Sequence, residues 1–238
     1  IELLADFARC IQYGLPTDLL SYMLLLVRVI PLEKSSDRAR PIVVGTIIKK
    51  WATGALVAHD REAAQKAVGP HQYGVGKPGG SESLIHSLVG HQTSEVDYAL
   101  VQIDASDAFC PVSRQHIFSQ VQRHLPHMVP YAAWALGHPV LALFPSDDGK
   151  VYRAWIQQGV LQGSTENPLF FSLAVRALFE HIEQEALALW AACRWYAYLD
   201  DITVACPVSH LPSLWEGLPS WLSLVHLESN AKKCRVLL

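Results

Sequence analysis

Asp104 closes an apolar run, residues 98–103, that reads as a buried strand. Asp200 and Asp201 stand together between two more apolar segments, Trp195–Tyr198 and Ile202–Cys206, which read as the arms of a hairpin. Carboxylates on hydrophobic strands are costly to desolvate and need a compensating charge. Hard divalent cations match them: Mg²⁺ takes one or two carboxylates and fills its shell with water and substrate phosphates. Two such ions roughly 3.5–4 Å apart lower the barrier to in-line phosphoryl displacement. One activates an attacking hydroxyl; the other binds a triphosphate and steadies the departing pyrophosphate. The alternative is an acidic turn with no chemical role, since Asp is a common turn residue.

The elements that must position these groups follow from periodicity and punctuation. Residues 1–30 read as helix broken at Gly14-Leu15-Pro16, with Thr17 capping the second piece. Leu32–Asp37 reads as strand and turn, Arg40–Val44 as strand, and Ile47–His59 as helix. Gly69–Gly80 is a glycine- and proline-rich loop, followed by a helix over 81–90 with Ser81 as its cap. Ser113–Leu125 is helical. Val140–Phe144 and Val151–Ile156 flank Asp147-Asp148-Gly149, a hairpin signal. One long helix is expected over Leu169–Trp190, another over Leu211–Leu224, and a last strand over Arg235–Leu238. Helices interspersed with antiparallel hairpins place the chain in the α+β class.

Composition narrows the choice. The 238 residues are 50% hydrophobic and 17% charged, enough to bury a core and too apolar for disorder. The net charge of −3 supplies no general attraction to nucleic-acid backbone, although it counts carboxylates that a metal would neutralise. Five cysteines without paired spacing suggest reduced thiols in an intracellular protein rather than a disulfide frame or a zinc site. The most apolar run, Leu19–Ile30, is interrupted by Arg28 and too short to span a bilayer, so it reads as a buried helix and no membrane partner is expected. The chain begins at Ile1 without a signal peptide and is taken as a segment of a longer protein.

The acidic residues lie in ordered motifs. Asp104-Ala105-Ser106-Asp107-Ala108-Phe109 resembles motif A of reverse transcriptases. Gln162-Gly163, with Pro168 beyond, resembles motif B, and Tyr198-Leu199-Asp200-Asp201 matches the Tyr-x-Asp-Asp box of motif C. Asn230-Ala231-Lys232-Lys233-Cys234 resembles the motif D region, Arg40-Pro41-Ile42 the fingers strand, and Gln72-Tyr73-Gly74 the segment before motif A. Each is weak alone; order and spacing agree over nearly the whole chain and are most similar to non-LTR retrotransposon enzymes.

The resemblance implies a right-hand polymerase with fingers at about 1–98 and 113–157, palm at about 99–112 and 158–238, an antiparallel palm sheet packed on helices, and no thumb. It implies metal ligands at Asp104, Ala105, Asp200 and Asp201, for two Mg²⁺ with Mn²⁺ as the alternative ion. Phe109 would be a steric gate favouring deoxynucleotides, with Asp107, Ala108 and Tyr198 around the substrate. Arg40 would pair with the triphosphate through its fixed guanidinium fork, with Lys34 assisting. Gln162 and Gly163 would line the nucleotide and template pocket, where glycine permits close approach. The plainer reading of that stretch is a turn capped by Ser164 or Thr165. Lys233 would stand near the leaving pyrophosphate as a proton donor, with Lys232 its rival. Partners would be an RNA template, a DNA primer and deoxynucleoside triphosphates, and the site of action the host nucleus; the oligomeric state stays open.

Departures and decoys are few. Ser164-Thr165-Glu166-Asn167 differs from the Asp-Pro-Leu-Gly type expected after Gln-Gly, and Glu166 is expected to put a negative charge near the pocket. Gly74-x-Gly76-x-x-Gly79 has the spacing of a dinucleotide fingerprint but no strand before it and Pro78 within it. His124 and His127, flanking Pro126, read as surface loop residues. Two other functions compete: a viral-type RNA-dependent RNA polymerase, disfavoured because Ala108 and Phe109 stand where that family carries a second Asp, and a non-catalytic RNA-binding module, disfavoured by the intact triad.

Overall fold

In the computed structural model, which describes residues 2–35, 38–94, 97–146 and 148–238, the chain leaves the helix expected over 1–30 early. α1 (Glu2–Gln12) and α2 (Asp18–Leu25) flank the predicted break, but Leu26 turns extended and leads into β1 (Val27–Ser35). Val27 and Val29 are buried while Arg28 and Ile30 are exposed, a period of two that suits β-branched residues in a strand. Leu19 and Met23 face outward, so the apolar run 19–30 is not a buried helix. Thr17 occupies the N-cap position of α2 without a side-chain cap bond. Among the described residues no helix is long and apolar enough to cross a membrane.

β1 pairs antiparallel with β2 (Arg38–Gly45), and Pro31 faces Pro41 across that ladder. β2 is an edge strand, and on its other side β1 is paired only through Val27 and Arg28. Both prolines therefore sit where no bond on the far side is lost. Of the strand and turn expected over 32–37, Ser36 and Asp37 lie outside the described residues.

α3 (Ile47–His59) has the predicted bounds, and α4 (Arg61–Val68), which the periodicity missed, follows after one residue. α5 (Gly80–Ser94) begins one residue before Ser81, which therefore does not cap it. β3 (Tyr98–Ile103) matches expectation. α6 (Arg114–His124) is capped by Ser113, whose hydroxyl accepts from the His116 N–H at 3.3 Å. A 3₁₀ turn (Pro126–Met128) and α7 (Val129–Gly137), also missed, precede β4 (Val140–Pro145) and β5 (Val151–Ile156); Asp147 of their turn lies outside the described residues. The helix expected over 169–190 is two, α8 (Asn167–Glu185) and α9 (Leu187–Ala192), broken at Ala186 (φ −135°, ψ 50°). β6 (Arg194–Tyr198), β7 (Asp201–Pro207), α10 (Leu211–Leu224) and β8 (Arg235–Leu237) complete the chain.

Among the described residues the strands form two four-stranded sheets. The first runs β2-β1-β4-β5 and contains one parallel contact, β1 with β4; the second runs β6-β7-β3-β8 and is antiparallel throughout. The α+β class and the antiparallel sheet packed on helices are as expected. α8 is apolar nearly all round and buried from Asn167 to Ile182, which makes it the central core helix, in contact with α4, α6, α9 and α10. Its Phe170, Phe171, Leu173 and Leu178 are each buried, worth about 1.5–3 kcal/mol apiece by area removed from water. Of the two histidines read as surface loop residues, His127 is exposed as expected, whereas His124 is half-buried at the end of α6. His124 closes α6 with Nε2 3.6 Å from Glu180, and His127 Nε2 lies 2.8 Å from Asp60.

Candidate active site

The second sheet brings the three aspartates together. β3 and β7 run antiparallel with Ile103 opposite Ile202, so Asp104, one residue past the end of the ladder, stands across from Asp201. Neighbouring strands lie about 4.8 Å apart. Tyr198 pairs with Asp201, leaving Leu199 and Asp200 as a two-residue loop. Leu199 has φ +55°, a left-handed conformation that costs a branched side chain about 1–2 kcal/mol. On the far side of β3, Asn230 N–H donates to the Asp104 carbonyl at 2.7 Å, and Ser229 bridges Ala105. That tether brings Lys233 Nζ to 3.8 Å from Asp104 Oδ2. Lys232, its rival, is exposed, and its carbonyl accepts from Arg235.

The electrostatics favour a cation. Burial first, then the charges of Asp200 and Asp104, hold the Asp201 carboxyl above the ordinary carboxylate range. Among the described residues no three His, Cys, Asp or Glu side chains converge to encage an ion by themselves.

Motif B is tied to the first sheet. Val43 N–H donates to the Gln162 carbonyl at 2.8 Å. Gly163 has φ +113°, and a Cβ there would stand 2.4 Å from the Val43 carbonyl oxygen. Gly163→Ala should therefore lower stability by about 1–3 kcal/mol, seen as a drop of roughly 3–10 °C in thermal unfolding midpoint. Arg114 Nε holds the Gly159 carbonyl at 2.8 Å, and Asn167 Nδ2 the Leu161 carbonyl at 2.8 Å. α8 is entered through Glu166, not capped by Ser164 or Thr165. A cavity of about 570 Å³ opens beside this segment, lined by Pro41, Val43, Cys110, Trp155, Val160 and Gln162 among others, and by none of the three aspartates.

Glu166 does not charge that pocket. It is 2% exposed and accepts a hydrogen bond from Lys49 Nζ of α3 at 2.5 Å. Burial raises its pKa and Lys49 more than offsets that, leaving the carboxyl below its usual range. Fully buried Tyr131 lies against it, its phenol held protonated by burial and then by the Glu166 charge.

Residues 32–238 match the family described as reverse transcriptase (RNA-dependent DNA polymerase). The chain belongs to that family. It is 26% identical, over 87% of its length, to the retrotransposable element SLACS 132 kDa protein of Trypanosoma brucei gambiense, and spans 17% of that relative. Among solved structures it resembles telomerase from Candida albicans in complex with a fragment of telomeric RNA (TM-score 0.68, 12% identity, 100% of this chain and 46% of that one). It also resembles apo telomerase from Candida tropicalis (TM-score 0.66, 9% identity, 93% and 45%). These structural likenesses bear on the fold. The retrotransposon character anticipated from the ordered motifs agrees with the SLACS relative, and dependence on divalent metal goes with the family.

In this reverse transcriptase domain the other motif residues fall on several different elements. Ala108 and Phe109 are buried, and the Phe109 ring stacks on Phe171 at 4.4 Å, while its carbonyl accepts from Val160 N–H at 2.8 Å. Asp107 is exposed with φ +45°, and its carbonyl accepts from Cys110 N–H. Tyr198 is half-buried at the end of β6. Arg40 is exposed on β2, three residues from Val43, about 10 Å along the strand and on its opposite face. Lys34 falls on β1, and its side chain lies outside the described residues. The sequence reading missed Lys49, Tyr131 and Asn167 as supports of motif B. Lys49 and Glu166 are 117 residues apart, and no local pattern links them.

Proposed function

We propose that this reverse transcriptase domain adds deoxynucleotides to a DNA primer 3′-hydroxyl on an RNA template, with Asp104, Ala105, Asp200 and Asp201 holding two Mg²⁺. The observation that carries it is the placement of Asp104 across from the Asp200-Asp201 hairpin on paired strands. When bound, the ions supply Lewis-acid activation of the hydroxyl and charge stabilisation at the leaving pyrophosphate. The chain's own residues do the rest. The three carboxylates fix where the ions sit. Lys233, 3.8 Å from Asp104, offsets part of their negative charge, and its role in this reading is to hand a proton to the departing phosphate. Arg40, with Lys34, grips the triphosphate; Gln162 and Gly163 border the base-pair pocket beside Val43; Asp107, Ala108 and Tyr198 frame the substrate. In this reading the first sheet belongs to the fingers (1–98 and 113–157), the second to the palm (99–112 and 158–238), and the work is done in the nucleus.

Phe109, backed by Phe171, has little room to yield, which suits a wall against a ribose 2′-hydroxyl. Phe109→Val should cut discrimination against ribonucleotides by roughly 10–100-fold, the range for removing a contact worth about 1–3 kcal/mol. Competing incorporation of both nucleotide types measures it; unchanged selectivity would remove Phe109 as the gate.

The test of the whole reading is primer extension on RNA with Mg²⁺ and deoxynucleotides, in the full-length protein that carries this domain. Extension on RNA that stops on chelation supports it. Binding of the duplex without extension, with either metal and either nucleotide type, would replace it with a non-catalytic nucleic-acid-binding module.

A further inference from the structure

The acidic hairpin rests on a residue outside motifs A to D. β6 is the edge strand of the second sheet, and residues 71–73 lie along its open side. Tyr73 N–H donates to the Ala197 carbonyl at 2.8 Å, and Ala197 N–H to the His71 carbonyl at 2.8 Å. These two bonds aim the side chain of Gln72, which is 3% exposed, at the loop that ends the strand. There the Gln72 Oε1 accepts from Leu199 N–H at 2.8 Å and from Gly74 N–H at 2.9 Å, while Nε2 donates to the Leu199 carbonyl at 3.4 Å. One amide thus engages both backbone groups of the residue that precedes Asp200.

Leu199 needs such a hold. In a two-residue loop whose first residue alone has positive φ, as Leu199 does here, that residue is ordinarily Gly, and a non-Gly residue in that region persists only where its surroundings over-determine it. Gly74 lets the clamp close, because a Cβ there would lie 2.9 Å from the Leu199 nitrogen and side chain. The chemistry of the clamp is specific to an amide. A carboxylate would accept the two N–H groups but offer nothing to the Leu199 carbonyl, and would add negative charge next to Asp200. An Asn side chain is one methylene short.

We propose that Gln72 is a positioning residue for catalysis, holding Leu199 left-handed so that Asp200 and Asp201 meet the metal ions in register. This rests on the reading of those aspartates as metal ligands. A misplacement near 1 Å in a reacting constellation costs on the order of 10²-fold in rate, and that is the scale expected here.

The experiment compares Gln72→Ala, Gln72→Glu, Gln72→Ala with Leu199→Gly, and Asp200→Asn in the full-length protein. Hydrogen–deuterium exchange is read at the Leu199 amide, and single-turnover extension at varied Mg²⁺ and deoxynucleotide. Gln72→Ala is expected to speed Leu199 exchange at least about tenfold while β3 amides stay protected. It should slow extension about 30–100-fold and raise the Mg²⁺ midpoint, with nucleotide affinity within about threefold. Gln72→Glu should be no better. Adding Leu199→Gly, which is at ease with positive φ, should recover about tenfold of the rate. Unchanged Leu199 exchange overturns the clamp. So does faster exchange with parental rate and Mg²⁺ midpoint, or activity lost only in step with global unfolding and not recovered by the glycine. If instead Asp200→Asn extends normally, the metal-ligand reading fails, whereas the exchange arm still decides whether Gln72 holds the loop.

Discussion

Asp200→Asn should lower the single-turnover rate of extension by at least about 10³-fold while leaving the protein as stable as before, or slightly more so. The rate loss follows from removing one anchor of ions that supply several kcal/mol of charge stabilisation, at about 1.4 kcal/mol per decade. The stability expectation has a separate source. Asp201 is held above the usual carboxylate range by burial and by the charges of Asp200 and Asp104. A carboxyl whose pKa is raised on folding favours the folded state at low pH, and loses that contribution as pH rises through the raised value. At neutral pH the charged Asp201 carboxylate therefore opposes folding, and neutralising Asp200 removes one of the two charges that act on it. Thermal unfolding in a metal-free buffer, alongside the rate assay, tests both halves. An Asp200→Asn protein that unfolds much earlier would mean that the hairpin needs the charge for structure, contrary to the like-charge argument.

Glu166→Ala is expected to be the most damaging single change to stability, at about 3–5 kcal/mol, because it strands the Lys49 ammonium in the core. The partners are 10% and 3% exposed at their side chains, so solvent offers little relief. For a domain of this size that is a fall of roughly 10 °C or more in unfolding midpoint. Replacing both partners together, Lys49→Met with Glu166→Leu, should recover most of the loss, since an apolar pair of similar volume is often neutral or better. The pH dependence has a definite sign. Glu166 is depressed on folding, so its contribution is present above the unfolded carboxyl pKa, about 4.3, and is lost as pH falls through the folded value. The parent should therefore weaken in acid more steeply than the double variant. If the double variant is as unstable as Glu166→Ala, the pair contributes through packing rather than charge.

Local chemistry made part of this molecule legible. The strand 98–103, the helices 47–59 and 211–224 and the acidic hairpin around residues 199–201 are each written in a stretch with its own period and punctuation, and they came out with the expected bounds or nearly so, Asp201 joining the strand rather than the loop. Residues 26–30 did not, because an apolar run satisfies helix and strand alike until its burial alternates. Ala186 breaks a helix without Gly or Pro, so nothing local marks it. α7 opens with Pro130 in its first turn, a permitted start that reads equally as loop. At the site, motif spacing pointed to aspartates that the second sheet sets on paired strands, but what supports them is long-range. Glu166 looked like a charge facing the pocket because its partner is on another helix. Gln72 looked like one letter of a motif because its bonds reach residue 199.

The parallel contact between β1 and β4 joins segments more than a hundred residues apart, and β3 waits about as long for β7. Such distant closures make folding slow. A ribosome delivering the chain at about 5–20 residues per second finishes β3 several seconds before the hairpin that carries Asp200 and Asp201. Through that interval Asp104 ends a strand with no acidic partner, and the juxtaposition of the three aspartates waits for β7 to emerge.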